Sequence, residues 1–365
     1  MHNRRTTAPT DSTGAFAKAL VCLSPAGRRA RSGQSPAGPR LRGGRKAALT
    51  RPFGIPALLA AAALCLVLAG CGGGGGGTAG GGTSAADEGT TSGPAYTEPT
   101  SVPVAAFDAA AATGSNGALI DASQTAKGFV GASATSSSRL KFQVIKGDVS
   151  YNYDLPSDGT PIICPINMGD GAYTFRVMQN TSGSNYAAIA TTDAAVTLEN
   201  QFVPFLNPTL FCEFTNSSPS VQKARELAAN AQNEGDVVRA VYEWIATNVT
   251  YDKAKASQLA DGTGYVPDPD STLSSTTGIC FDYASLAAAM FRSLGIPCQI
   301  ITGYVSPDNV YHAWNMIYID GSWVSAQISV DPDKWTRIDL TFAASDGGNT
   351  STIGDGTSYT DRYVY

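Results

Sequence analysis

Residues 278–284 read Gly-Ile-Cys-Phe-Asp-Tyr-Ala, and residues 311–315 read Tyr-His-Ala-Trp-Asn. Apolar residues recur at helical spacing after Cys280, and Gly295-Ile-Pro ends that pattern. The Ser and Thr residues at 274–277 supply N-cap candidates, so the sequence predicts that Cys280 lies in the first turn of a helix. A helix N-terminus and a neighbouring imidazolium both lower the pKa of a thiol, which makes Cys280 a candidate nucleophile.

His312 is the candidate base of the same site. The chain contains two histidines, His2 and His312, and His2 precedes the export signal predicted below. Any histidine-dependent chemistry of the exported protein must therefore use His312. Apolar runs at 299–305 and 314–319 predict two strands, the second of which ends in an Asp-Gly turn. His312 then lies at the leading edge of the second strand.

These stretches together resemble the bacterial transglutaminase-like superfamily, whose domains have a papain-like fold. The motifs that carry the resemblance are Gly278-Ile-Cys-Phe-Asp-Tyr-Ala, Gly295-Ile-Pro and His312-Ala-Trp-Asn-Met-Ile-Tyr-Ile-Asp-Gly-Ser-Trp323. The resemblance covers about 120 residues, 221–342. It implies an α+β catalytic domain, placed here at 216–365, with a Cys, His and Asp triad in that order along the chain.

The resemblance also implies that the orienting acid follows a Trp-x-x-x-Asp pattern after the histidine strand. In this chain a first Trp-x-x-x pattern ends at Gln327, and a second one ends twelve residues later at Asp339. We predict Asp339 as the orienting acid and interpret 324–334 as an inserted strand and turn. The alternatives are two acids of that insertion, Asp331 and Asp333. If Gln327 fills the position, the site is weakened, because an amide cannot stabilise imidazolium as a carboxylate does.

The implied reaction is attack of the Cys280 thiolate on an amide carbonyl, followed by resolution of a thioester by water or by an amine. Of these outcomes we expect hydrolysis of a peptide or protein substrate more than cross-linking. No metal or organic cofactor is implied, and the sequence does not indicate an oligomeric state. The alternative is a catalytically weak or inactive fold that binds a surface peptide or a wall component, which Gln327 in the acid position favours.

Residues 1–70 are predicted to be an N-terminal extension and a lipoprotein signal peptide. Basic residues precede an apolar run at 55–68, which ends in Leu-Ala-Gly-Cys71 and resembles a bacterial lipobox. The run is shorter than the roughly 18 residues expected of a transmembrane helix. Lipidation of Cys71 would anchor the exported protein to the outer face of the bacterial cytoplasmic membrane.

A tether and a β-rich module are predicted between the signal and the catalytic domain. Residues 71–102 are rich in Gly, Ser and Thr, which is typical of a flexible tether. Residues 103–215 predict a sandwich-like module, since alternating apolar and polar residues flank the hairpin signature Lys146-Gly-Asp. The module contains Cys164 and Cys212, a candidate disulfide pair in an exported protein.

Charge is distributed unevenly along the chain. The first 70 residues contain 11 of the 25 Lys and Arg residues but one of the 30 Asp and Glu residues. The remaining chain therefore has a net charge near −15. Such a charge argues against nucleic acid and against anionic surfaces as partners.

Overall fold

The computed structural model describes residues 89–260, 264–307, 309–324, 329–345 and 357–365. The predicted signal peptide, Cys71, Gln327 and the tether up to residue 88 lie outside the described residues. The part that is described, from Gly89 onward, belongs to one compact unit. No helix in these ranges is both long and apolar enough to cross a membrane.

Helices and strands are numbered here in chain order. The α-helices are α1 (Pro219–Ala228), α2 (Glu234–Asn248), α3 (Lys253–Leu259), α4 (Pro269–Ser275), α5 (Cys280–Ser293) and α6 (Leu340–Ser345). The strands are β1 (Thr90–Ser92), β2 (Thr113–Ser115), β3 (Ala118–Asp121), β4 (Phe129–Ala134), β5 (Leu140–Lys146), β6 (Val149–Leu155), β7 (Ile162–Pro165), β8 (Gly171–Ser182), β9 (Asn185–Val196), β10 (Thr250–Tyr251), β11 (Thr277–Gly278), β12 (Cys298–Val305), β13 (Val310–Ile317), β14 (Ser322–Val324), β15 (Ser329–Val330), β16 (Thr336–Ile338) and β17 (Tyr359–Val364). Short 3-10 helices occur at Thr125–Lys127 and Val203–Phe205.

Two four-stranded antiparallel sheets form a sheet-rich region ahead of the helices. Their strand orders are β2-β3-β4-β7 and β6-β5-β8-β9. Apolar side chains such as Val130, Phe142 and Phe175 are buried in the core of this region. The predicted hairpin at Lys146-Gly-Asp is confirmed, because β5 and β6 pair directly across it. Gly147 makes this tight turn with a φ of 57°, a backbone conformation that glycine tolerates well.

The second half of the chain packs its longest buried helix against a four-stranded antiparallel sheet. The strand order of this sheet is β16-β13-β12-β17, and α5 lies against β12 and β13. The other sides of α5 contact α1, α2 and α4. Every residue of α5 is consequently buried, which explains why its sequence is apolar on nearly all faces.

The start of α5 confirms one prediction and corrects another. Cys280 is the first residue of the helix, as predicted. The Ser and Thr residues at 274–277 do not cap it, because they form the end of α4, its C-cap and the start of β11. The N-cap is Ile279, whose backbone N–H donates to the Asp282 carboxylate at 2.8 Å. An acid at the third helical position thus satisfies a backbone donor that no serine or threonine reaches.

Arg292 joins the sheet-rich region to the second half of the chain. It is fully buried in α5, and its guanidinium donates to the carbonyl oxygens of Asn207, Cys298 and Tyr365 at 2.9, 2.9 and 3.0 Å. Phe211 adds a second connection, since its ring lies 4.8 Å from Tyr365 at the end of the last strand. A continuous core therefore spans both regions.

Cys164 and Cys212 are both buried with free thiols, so the candidate disulfide is not formed in this structure. Cys164 lies in β7 opposite Val130, whereas the Cys212 thiol interacts with Arg292 and Cys298. Burial raises the pKa of the Cys164 thiol far above its ordinary value and that of Cys212 to about 11. Both thiols are therefore protonated at neutral pH.

The last part of the predicted tether is ordered against α2. β1 pairs antiparallel with β14, and Thr91 donates its hydroxyl to Asp236 at 2.7 Å. Glu234, the first residue of α2, accepts the backbone N–H of Asp320 at 2.9 Å beside this small sheet. Burial, and then the neighbouring Asp320 carboxylate, raise the pKa of Glu234 to about 7, although the Asp320 N–H offsets part of the increase.

This raised pKa predicts that the fold loses stability as pH rises. The folded state binds a proton at Glu234 more tightly than the unfolded chain, so the contribution is complete below the ordinary pKa of 4.5 and disappears as pH rises through about 7. Because the carboxyl is only half-buried, we expect a loss of about 1–2 kcal/mol. Urea unfolding at pH 5 and pH 7.5 measures the change, and Glu234→Gln should remove it. An equal pH dependence in the Gln variant would contradict the assignment.

Candidate active site

Cys280 is positioned by the two short strands that lead into α5. β11 pairs in parallel with β10, so that Gly278 lies opposite Tyr251. A Cβ atom at Gly278 would lie 2.6 Å from the Cβ of Asp282, closer than such atoms approach in proteins, so this position requires glycine. Cys280 itself has no exposed surface.

His312 is the third residue of β13 and lies opposite Gly303 of β12. Its ring is buried and stacks on Phe342 with a centroid distance of 4.8 Å. The same strand is joined to α5, because the Asn315 side chain donates to the Ala284 carbonyl at 3.0 Å. The helix that starts at Cys280 is therefore held directly against the strand that carries His312.

Asp339 contacts His312 directly. Its carboxylate oxygen Oδ2 lies 2.8 Å from His312 Nε2, and both side chains are buried. β16 brings the two together, since it pairs with residues 315–317 of β13, the strand that carries His312, and is followed at once by Asp339. Trp335 anchors the start of β16, with its ring 5.5 Å from that of Phe205. The contact predicted from the second Trp-x-x-x-Asp pattern is therefore present.

The alternative acids have other partners or environments. Asp331 forms an ion pair with Lys334, and Asp333 is exposed. Gln327, the third alternative, lies outside the described residues. Among the acids considered from the sequence, Asp339 is the one that the structure places on the His312 ring.

The Asp339 carboxylate is fixed by donors on both of its oxygens. Oδ1 accepts the backbone N–H groups of Thr341 and Phe342, each at 3.1 Å, in the first turn of α6. Oδ2 accepts the Tyr359 hydroxyl at 2.9 Å as well as His312 Nε2. Because an ionised carboxylate can only accept, Nε2 must be the donor in this contact. This sets the tautomer of His312 and assigns proton exchange to Nδ1.

Residues 221–328 match the model of the transglutaminase-like superfamily. These residues form a transglutaminase-like domain. The matched segment contains both Cys280 and His312 and ends before Asp339.

The transglutaminase-like domain is similar to several known proteins. Kyphoscoliosis peptidase from Homo sapiens is 30% identical over 108 residues, which are 27% of this chain and 16% of that peptidase. The Mus musculus form is 29% identical over 108 residues, with the same coverage. The chain thus matches about one sixth of the length of these relatives. A crystal structure from Cytophaga hutchinsonii, provisionally assigned as a cysteine protease, has 16% identity and a TM-score of 0.31, covering 65% of this chain and 86% of that one.

Two residues of the site come from parts of the chain that the motifs of the transglutaminase-like domain do not include. Tyr359, the first residue of β17, donates its hydroxyl to the Asp339 carboxylate. Burial, and then the Asp339 charge, raise the pKa of this hydroxyl. Tyr359 therefore remains protonated. Gly303 lets β17 come close, since a Cβ there would lie 2.1 Å from the Thr360 carbonyl oxygen. The sequence signal here is the aromatic composition of 359–365, which favours a strand and indicates no role for Tyr359.

Proposed function

We propose that this protein is a cell-surface lipoprotein that performs thiol acyl transfer on peptide or amide bonds. The observation that carries the proposal is the buried contact of 2.8 Å between Asp339 and His312, on a strand held against the helix that begins at Cys280. A carboxylate on one ring nitrogen orients an imidazole for exchange of a proton at the other. The superfamily match over 221–328 supports the same class of chemistry.

In the proposed mechanism, Cys280 Sγ gives its proton to His312 Nδ1 and attacks the carbonyl carbon of the substrate. Asp339 stabilises the imidazolium through Nε2, and the backbone N–H of Cys280 at the helix start stabilises the oxyanion. His312 then protonates the leaving amine as the C–N bond breaks and the thioester forms. Water, deprotonated by His312, attacks the thioester, releases the acid and regenerates the thiol. An amine in place of water would give a cross-link, and we favour hydrolysis.

Burial of the site adds a requirement to this proposal. Cys280 and His312 are both inaccessible to solvent, so a path to Sγ must open when substrate binds. A site that stays closed until substrate binds excludes bulk water. Exclusion of water strengthens electrostatic interactions around the reacting atoms.

Localisation is part of the same proposal and rests on the lipobox that ends at Cys71. Two acyl chains on that residue would hold the protein on the outer face of the cytoplasmic membrane. Incorporation of a labelled fatty acid in expressing cells tests this directly. Label in the wild-type chain and its absence from Cys71→Ser would support it, and equal label in both would refute it.

The activity is tested with labelled casein as a general peptide substrate and a fluorescent primary amine as the competing acceptor. We expect the wild-type protein to release casein fragments, with amine incorporation as the minor product, and Cys280→Ala and His312→Ala to lose both. Ultraviolet absorbance of the Cys280 thiolate below about pH 8, measured as the difference from Cys280→Ser, would show the activated thiol independently of substrate and of reagent access. A thiol that ionises only as an ordinary cysteine, with no turnover, would favour the binding-module alternative.

A further inference from the structure

A second group of charged side chains surrounds the first turn of α5, next to the proposed nucleophile. Asp282, two residues after Cys280, is fully buried. Its Oδ2 accepts the Lys255 ammonium at 2.7 Å as well as the Ile279 backbone N–H at 2.8 Å. Its Oδ1 accepts the hydroxyl of Tyr265. Lys255 also lies 4.7 Å from the centre of the Tyr265 ring, so the three side chains form one connected network.

This network has an electrostatic consequence for the thiolate that the proposed mechanism requires. A negative charge buried in the first turn of α5, two residues from Cys280, disfavours a second negative charge on Sγ. Lys255 is the cation that contacts this carboxylate, and its side chain is 30% exposed while that of Asp282 is 0% exposed. The ammonium therefore neutralises the buried carboxylate from the solvent side.

Other charged groups face the network from neighbouring elements. Asp252 caps α3 by accepting the backbone N–H of Lys255 at 2.8 Å. Asp268, the N-cap of α4, interacts electrostatically with both Lys255 and Tyr265. Burial, and then the Asp282 charge, raise the pKa of Tyr265, so its hydroxyl remains a donor. Lys255 is thus placed among three carboxylates.

Removal of Lys255 would leave these carboxylates without that cation.

We propose that Lys255 is a positioning residue for the nucleophile, whose ammonium neutralises Asp282 and thereby stabilises the Cys280 thiolate. The inference rests on the proposed function of Cys280. Lys255 does not touch the reacting atoms in this proposal and acts through Asp282. Lys255 lies on α3, which follows β10, and the pairing of β10 with β11 brings this helix to the start of α5.

The test is a pH titration of the Cys280 thiolate by ultraviolet absorbance in the full chain, as the difference from Cys280→Ser. This difference isolates one thiol and requires no reagent to enter the closed site. Lys255→Met should raise the midpoint by about one pH unit, since a nearby unit charge in a partly buried site has an effect of that order. Lys255→Met combined with Asp282→Asn should reverse most of that shift, because both charges are then absent.

Lys253→Met provides the matched control, since Lys253 lies exposed on the same helix and has the same charge. It should move the midpoint by less than about 0.3 pH unit. An unchanged midpoint in Lys255→Met, or a further increase in the double variant, would overturn the inference. Absence of wild-type thiolate below about pH 8 would instead contradict the proposed function. The shift between variants can still be read wherever the wild-type midpoint lies.

Discussion

Asp339→Asn should lower kcat/KM for labelled casein by about 10³-fold to 10⁴-fold. The asparagine Oδ1 can still cap α6 through the Thr341 and Phe342 N–H groups, as the Asp339 Oδ1 does. Its Nδ2 would then face His312 Nε2, and two donors cannot pair. The ring would have to place its proton on Nδ1, where it cannot accept the proton of the Cys280 thiol.

The measurement is the rate of casein hydrolysis, together with circular dichroism to show that the variant is folded. Tyr359→Phe is the matched control, because it removes one donor to the same Oδ2 and leaves the carboxylate and the histidine contact in place. We expect a loss of about 10-fold to 150-fold at most, smaller than that of Asp339→Asn, since a hydrogen bond to a charged group contributes about 1.5–3 kcal/mol. A folded Asp339→Asn variant with wild-type activity would exclude Asp339 as the orienting acid.

Arg292→Met should destabilise the fold by about 3–5 kcal/mol, a large part of the stability of a typical domain. The guanidinium is fully buried and supplies hydrogen bonds to carbonyl oxygens at 207, 298 and 365. Methionine fills much of the same volume but donates nothing, so these buried acceptors lose their donors. Urea unfolding followed by tryptophan fluorescence measures the change.

A surface arginine provides the comparison for this variant. Arg225 in α1 pairs with Glu98 at 3.0 Å, with the two side chains 22% and 42% exposed. Arg225→Met should cost less than about 1 kcal/mol, because exposed ion pairs contribute little. Similar losses in the two variants would show that Arg292 does not connect the two regions in the way described.

Spacing along the chain predicted the parts of the site that depend on local structure. A helix that begins at Cys280 and a strand that carries His312 follow from apolar periodicity and from Gly295. The contact of Asp339 with His312 followed from a repeated tryptophan pattern and is present in the structure. The catalytic roles of these residues stay predictions.

The residues that the sequence did not indicate act across long separations. Tyr359 reaches Asp339 because β17 pairs with β12 through an irregular register at Thr302 and Gly303, a feature without a sequence signature. Lys255 reaches Asp282 because two-residue strands in parallel bring α3 beside α5. The candidate disulfide between Cys164 and Cys212 is not formed in this structure. Whether two cysteines pair depends on the distance between them in the fold, which their spacing in the sequence does not give.

Periodicity, turn residues and motif order specify the secondary structure around Cys280 and the strand that carries His312, and they predict a class of chemistry. These signals are local, because a helix or strand expresses its pattern over a few neighbouring residues. The partners that complete and neutralise the site are set by folding. A buried carboxylate such as Asp282 or Asp339 needs hydrogen-bond donors in the core. Lys255 and Tyr359 supply them from segments that are distant in sequence and that the sheet and helices bring close in the folded chain.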